Sequence, residues 1–257
     1  SDKDKPSELR ASSSSSSESP KTSKKVSTKG YPKVVNKEES SSSKKSFTPA
    51  PMSATKRFHS VYRHMPSATR ASRLQTPQGR EEWLAYHQER DANPVFSDEN
   101  TPANWVCEYL ERKPHKKTKV VADLGAGTGF LEKKLENNKR FKVIGFDYVS
   151  THPNIQERDY TDTGLEDESV NYVVSCLSMW VDKDNEYEKM KVIDEGRRIL
   201  DSQGEWIIVD STSKWCTLDA KTGVRRNMLK DLLEPYFDIN IVEATQDLKF
   251  FFMVATH

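Results

Sequence analysis

Lys119-Val120-Val121-Ala122-Asp123-Leu124-Gly125-Ala126-Gly127-Thr128-Gly129-Phe130 decides the fold. Its first six residues form a short run, mostly apolar and partly β-branched, bounded by glycines, which reads as a buried strand. The glycines at alternate positions then let the backbone turn sharply and pass close to a nucleotide-like ligand. A helical pattern resumes over Phe130–Asn137. Phe141–Phe146 reads as a second strand ending at Asp147, 20 residues after Gly127. A carboxylate at that strand end is placed to accept hydrogen bonds from ribose hydroxyls.

The alternation continues outward. Asn154–Asp159 is a weak third strand. Val170–Cys176 is a fourth, introduced by the polar turn Leu165–Ser169. Glu186–Leu200 has helical periodicity, Trp206–Asp210 is a fifth strand, and Asn227–Leu233 is a helix ended by Pro235. Phe237–Val242 and Phe250–Ala255 are joined too tightly for a crossover helix, which predicts an antiparallel edge strand. Upstream, helices are expected from about Arg80, with Trp83, Leu84, Tyr86 and His87, and over Ala103–Arg112. The pattern predicts an α/β fold with a doubly wound, mostly parallel sheet.

Composition divides the chain. Residues 1–57 hold 13 Lys and Arg against 6 Asp and Glu, and the remainder holds 27 against 33, although the whole carries only +1. Residues 1–56, with serine runs at 12–17 and 40–43, cannot bury enough apolar surface to offset ordering, so a disordered tail is expected there. Residues 57–115 read as a basic arm followed by helices, and 116–257 as the α/β domain. The stretch 57–75 is either an arm that orders on RNA or a strap packed on the domain. The basic tail suits a polyanionic partner or simple solubility. No apolar run reaches the ~18 residues of a membrane span, and the N-terminus lacks the apolar core of a secretory signal. Asp2, Asp4, Glu8 and Glu18 weigh against a mitochondrial transit peptide. The chain opens on Ser1, and an upstream start is expected. Cys107, Cys176 and Cys216 lack zinc, redox or disulfide-framework spacing, so no metal is expected and a reducing compartment fits.

The loop narrows the ligand. A dinucleotide loop carries its third glycine where Phe130 stands, with Gly129 one residue early, and there is no lysine of the Walker type. Asp123, just ahead of the loop, suits a ligand bearing positive charge rather than a pyrophosphate. The pattern Asp-Leu-Gly-x-Gly-x-Gly resembles class I S-adenosylmethionine methyltransferases, which have a Rossmann-like fold. That resemblance implies that the methionine part lies over the loop, that Asp159 faces the adenine amino group and that Tyr160 covers the ring.

The stretch LEDESVNYVVSCLSMW (165–180), the helix WLAYHQER (83–90) with its Tyr-His pair, the turn Asn93-Pro94-Val95 and the terminal KFFF closely resemble the family of ribosomal RNA-processing protein 8, or nucleomethylin. The resemblance covers roughly residues 70–257. It implies S-adenosylmethionine as cofactor, with contacts from His87, Gly125, Asp147, Asp159, Tyr160 and Cys176. It also implies methylation of N1 of an adenine in large-subunit ribosomal RNA, pre-ribosomal partners, and a nuclear and nucleolar setting, with the mitochondrion as the alternative. Adenine N1 has a free lone pair, so no general base is required and no catalytic residue is singled out. Trp180 is a candidate to stack on a flipped base. Cys176 reads equally as a small buried apolar residue. The chain departs from the family loop, nearer Asp-Phe-Gly-Cys-Gly-Asp, at Ala126 and at Thr128, which replaces an acid. Tyr160 stands where a methionine is common, and the Trp-Pro pair often found before the Asn-Pro turn is absent. A small-molecule methyltransferase and a non-catalytic cofactor-binding scaffold for ribosome assembly or chromatin are the competing readings.

Overall fold

The computed structural model describes residues 51–93, 101–179, 186–244 and 249–257. Helices α1 (Ala54–Tyr62), α2 (Ser67–Leu74), α3 (Pro77–Asp91) and α4 (Pro102–Arg112) precede the sheet. Then come β1 (Lys119–Leu124), α5 (Phe130–Leu135), β2 (Phe141–Asp147), β3 (Ile155–Glu157), β4 (Val170–Cys176), α6 (Glu186–Ile199), β5 (Leu200–Ser211) and α7 (Thr212–Trp215). The chain closes with β6 (Cys216–Leu218), β7 (Arg225–Asn227), α8 (Met228–Leu233), β8 (Asp238–Ala244) and β9 (Phe250–Thr256).

Seven strands form one sheet in the order β3-β2-β1-β4-β5-β9-β8, and β6 and β7 form a separate antiparallel hairpin. The strands from β3 to β5 pair in parallel, whereas β9 runs antiparallel to both β5 and β8. The antiparallel strand therefore stands one place in from the edge, and β8 ends the sheet. The short link between β8 and β9 makes them a hairpin, and β9 pairs with β5 over seven residues, Glu205–Ser211, so the hairpin inserts its second strand.

The sheet is covered on both faces, as parallel strands require. Alternate residues point to opposite sides. Ala122, Val173, Trp206 and Ile208 enter one core with Val192, Ile193 and Ile199 of α6. Val121, Val174, Ile207 and Val209 enter the other, with Val106, Cys107 and Leu110 of α4 and Leu131 and Leu135 of α5. Gly196 lets α6 lie directly on Trp206, because a Cβ there would stand 2.4 Å from the indole ring. No helix among the described residues is long and apolar enough to cross a membrane.

Residues 57–75 are a packed strap. Ser53 caps α1 by accepting from the Lys56 amide, so residues 54–56, read from sequence as tail, form the helix's first turn. Phe58, Tyr62 and Leu74 bury against Trp83 and Tyr86 of α3 and Val149. The Tyr62 hydroxyl donates to Glu82 at 2.6 Å, and Arg73 pairs with the same carboxylate at 3.2 Å. Arg80 of α3 makes a two-pronged pair with Glu157 of β3 at 2.5 and 2.7 Å, which anchors the unit to the sheet. Gly79 is the closest approach between α2 and α3: an added Cβ would lie 2.0 Å from the Arg73 carbonyl oxygen. Backbone cannot yield as a side-chain tip can, so Gly79→Ala is expected to destabilise the fold by roughly 1–3 kcal/mol. A lowered urea midpoint checks this, and an unchanged midpoint would show that the strap shifts freely.

Candidate active site

The sheet order reverses between β1 and β4, which opens a crevice at the C-terminal ends of those two strands. The loop 125–129 leaves β1 at this point. Gly125 has φ +89°, and a Cβ there would stand 2.3 Å from the Ser178 Cβ, so only glycine fits. The Gly125 and Ala126 amides donate to the Phe146 carbonyl at 2.8 and 3.0 Å. The Gly127 amide donates to Asp147 Oδ2 at 2.9 Å, and the Tyr148 amide donates to Oδ1 at 2.8 Å.

Two cavities flank this loop. The first is walled by Trp83, Tyr86, His87, Tyr148, Tyr160 and Asp147, and by Phe58, Arg70 and Leu74 of the strap. The second, the roomier of the two, is lined by Asp123, Ala126, Thr128, Val106, Cys176 and Leu177 among others. Gly125 and Arg90 belong to both. The Arg90 guanidinium lies 3.3 Å from Asp91 and 5.9 Å over the Tyr86 ring.

The charges here are tuned by burial. Burial raises the pKa of Asp147, opposed by its two amide donors and by Arg90. His87 is buried, packs tilted against Trp83 with ring centroids 3.9 Å apart, and its Nδ1 has no hydrogen-bond partner among the described residues. Burial, with the charge of Arg90, holds its pKa well below the usual value, so the imidazole is neutral at pH 7. Asp123 is buried with Oδ1 unpartnered among the described residues, and burial followed by the Glu132 charge raises its pKa well above the carboxylate range. Burial likewise pushes Glu132 up. Cys176 is half-buried, and burial raises its thiol pKa, which argues against a reactive thiolate.

The first cavity thus brings together His87, Gly125, Asp147 and Tyr160, whose hydroxyl donates to the Ser178 carbonyl at 2.7 Å. Asp159 stands behind that wall. One of its oxygens accepts from the Thr161 amide and hydroxyl at 2.8 Å, and the other accepts from the Tyr148 hydroxyl at 3.3 Å. Cys176 faces the second cavity. The Thr128 hydroxyl donates to Asp91 at 2.7 Å, tying the loop to the end of α3. Trp180 and the Pro94-Val95 turn lie outside the described residues. Sequence reasoning missed Trp83, Tyr148 and, above all, Arg90. Spacing held a usable signal: 83, 86, 87 and 90 share one helical face. No group of three or more metal-ligating side chains occurs among the described residues.

A family described as hypothetical methyltransferase matches residues 56–255. A protein of Arabidopsis thaliana named ribosomal RNA-processing protein 8 is 32% identical over 114 residues, 44% of this chain and 36% of that protein. One of the same name from Drosophila melanogaster is 25% identical over 65% of this chain and 40% of that protein. The matched regions thus take in well under half the length of these relatives. A solved 1,6-didemethyltoxoflavin-N1-methyltransferase of Burkholderia thailandensis, with S-adenosylhomocysteine, shares 16% identity at a TM-score of 0.49, over 82% of this chain and 94% of that one.

The buried acids beneath the loop make a stability test. Glu132 holds its proton more tightly folded than unfolded, so the native state binds more protons, and stability falls as pH rises from 4.5 to about 7. Glu132→Gln is expected to flatten this fall and to stabilise the fold at pH 8 by roughly 1–3 kcal/mol. Urea midpoints across that range check it, and an unaltered pH profile would refute it.

Proposed function

Because the chain belongs to the methyltransferase family whose model spans residues 56–255, we propose that it binds S-adenosylmethionine in the paired cavities and methylates ribosomal RNA, at N1 of an adenine in the large-subunit RNA. The observation that carries this reading is the joining of two unlike cavities through Gly125 and Arg90. The first is aromatic with one carboxylate, which suits a nucleoside: rings stack, and Asp147 accepts from ribose hydroxyls. The second presents the Arg90 cation and the unpartnered Asp123 oxygen, which suits a zwitterionic amino-acid head. A pyrophosphate would favour the protonated form of Asp123 and gain no charge partner from it, whereas an ammonium group would favour the ionised form.

When bound, the cofactor supplies a methyl group on positively charged sulfur, activated for displacement. The chain's own part is orientation. Asp147, fixed by two amides, would hold the nucleoside end, and Arg90 would hold the carboxylate end. His87 is kept neutral by burial, so it adds no positive charge against a cationic ligand. Tyr148 and Tyr160 close the wall against water, and Asp159 positions Tyr148. Fixing both ends would restrict the cofactor's freedom before reaction, and such orientation can supply much of the rate gain of a displacement. Adenine N1 brings its own lone pair, so no residue need accept a proton first. A paired base must leave its helix to expose N1.

The relatives' shared name supports ribosomal RNA as substrate, and pre-ribosomal particles in the nucleolus are the corresponding setting. The departure at Thr128 does not favour a scaffold without turnover, because Asp91 brings a carboxylate to the same point of the loop.

Asp147→Ala is expected to abolish S-adenosylhomocysteine binding in calorimetry, and retained affinity would sink the site. Arg90→Ala is expected to weaken S-adenosylhomocysteine by about 10- to 100-fold yet leave 5′-methylthioadenosine, which lacks the amino-acid head, unaffected. Equal losses for both ligands would refute the role of Arg90. Incubation with cofactor labelled in its methyl group and total RNA is expected to yield labelled 1-methyladenosine. Label confined to small molecules, or binding without transfer, would overturn the RNA reading.

A further inference from the structure

Between Glu39 and Glu81 the chain has no acidic residue, while it carries eight Lys and Arg and two His. At the chain's average of 39 acids in 257 residues, such a stretch would hold about six. Residues 51–80 of it fold as the strap and the start of α3. Three of the arginines there are engaged internally: Arg73 by Glu82, Arg80 by Glu157, and Arg70 by the Met65 carbonyl at 2.9 Å. Lys56, Arg57 and Arg63 are exposed and have no ion pair among the described residues.

Their placement is not random. In α1 the buried Phe58 and Tyr62 lie one above the other. At about 100° per residue, His59, Arg63, Lys56, Ser60 and Arg57 cover the opposite half of the helix. That half exposes no large apolar side chain. The reverse of the same helix is functional wall: Phe58 lines the first cavity, as do Arg70 and Leu74 of α2. Lys214 of α7, following β5, comes near enough to His59 for its charge to help lower the imidazole's pKa, after burial and Arg63. The basic face therefore lies on the outer side of a helix whose inner side walls the first cavity.

We propose that the outer face of α1 is a phosphate-docking surface for single-stranded RNA, with Lys56, Arg57 and Arg63 holding the backbone beside the cavity that Phe58 walls. The proposal rests on the methyltransferase reading above and adds where its substrate is held. Phosphate contacts fix register without reading sequence, and they need charge rather than apolar anchors. An acidic protein partner would call for aromatic or aliphatic anchors amid the charge, and α1 offers none.

The full chain and its Lys56→Gln/Arg57→Gln/Arg63→Gln variant are titrated with a single-stranded RNA of about 20 nucleotides at several salt concentrations. Loss of three contacts is expected to reduce the slope of log affinity against log salt by about 2, which is about 100-fold in affinity at 0.1 M salt. KM for RNA rises while kcat holds. Lys56→Arg/Arg57→Lys/Arg63→Lys restores binding, since charge alone is required. S-adenosylhomocysteine affinity, unchanged in both variants, shows the fold intact. Unchanged RNA affinity and slope in the Gln variant would overturn the docking face and leave the cofactor reading standing. Competition by polyglutamate as strong as by RNA would overturn it in favour of an acidic protein. Failure of the wild type to bind S-adenosylhomocysteine would instead strike the reading beneath it.

Discussion

The 2.9 Å hydrogen bond from the Gly127 amide to Asp147 Oδ2 joins the glycine loop to the end of β2. Much of the site's geometry follows from it. The loop can turn only because Gly125 and Gly127 adopt positive φ, and the turn is held because Phe146 and Asp147 accept its amides. With the loop pinned, β1 and β4 splay their C-terminal ends around a crevice whose two halves meet at Gly125. The carboxylate that fixes the loop also lines the first cavity. Fold and site thus share one bond, so a change at Asp147 acts on both.

The sequence made the core strands legible to the residue. Lys119–Leu124 and Val170–Cys176 are short buried runs ended by a glycine loop or a polar turn, and their bounds coincide with β1 and β4. Asp147 was legible because strand length and loop spacing fix where β2 must end. Other elements depended on tertiary structure. β5 begins at Leu200, well before Trp206, because Leu200 and Glu205 pair with Val170 and Tyr172 of β4 across a register shift. The hairpin β6–β7 has no alternation to announce it, with Arg225, Arg226, Thr217 and Leu218 all exposed. The position of β9 inside the sheet depends on which strand of the hairpin pairs with β5, and local pattern does not encode that.

The same division runs through the site residues. Gly125, His87 and Tyr160 line the cavity directly. Asp159 is reached through Tyr148, a residue whose role depends on the fold bringing β2's end against the turn after β3. Arg90 looked like one more charge on a polar helix, since charged positions on a helix are usually solvated. Its role comes from the strap: by burying Trp83 and Tyr86 from above, α1 and α2 fix the rotation of α3 so that the His87–Arg90 edge faces the loop.

Electrostatics assigns the two sides of the crevice opposite tasks. Beneath the loop, Asp123 and Glu132 are neighbouring buried carboxyls with raised pKa values, because burial makes a charge on either costly. A cation held above the loop would lower that cost, and the site's neutral histidine adds no opposing charge. Above the crevice, the acid-free strap turns Lys56, Arg57 and Arg63 outward and Phe58 and Tyr62 inward, with Arg70 on the cavity wall. One short helix therefore separates an anion-attracting exterior from a cation-tolerant interior. A negatively charged polymer can be held outside while a positively charged small molecule is held within, and neither field has to be weakened for the other. On the proposed reading, a sharper division along α1 lets an RNA base come closer to the first cavity without its phosphates meeting the acids below.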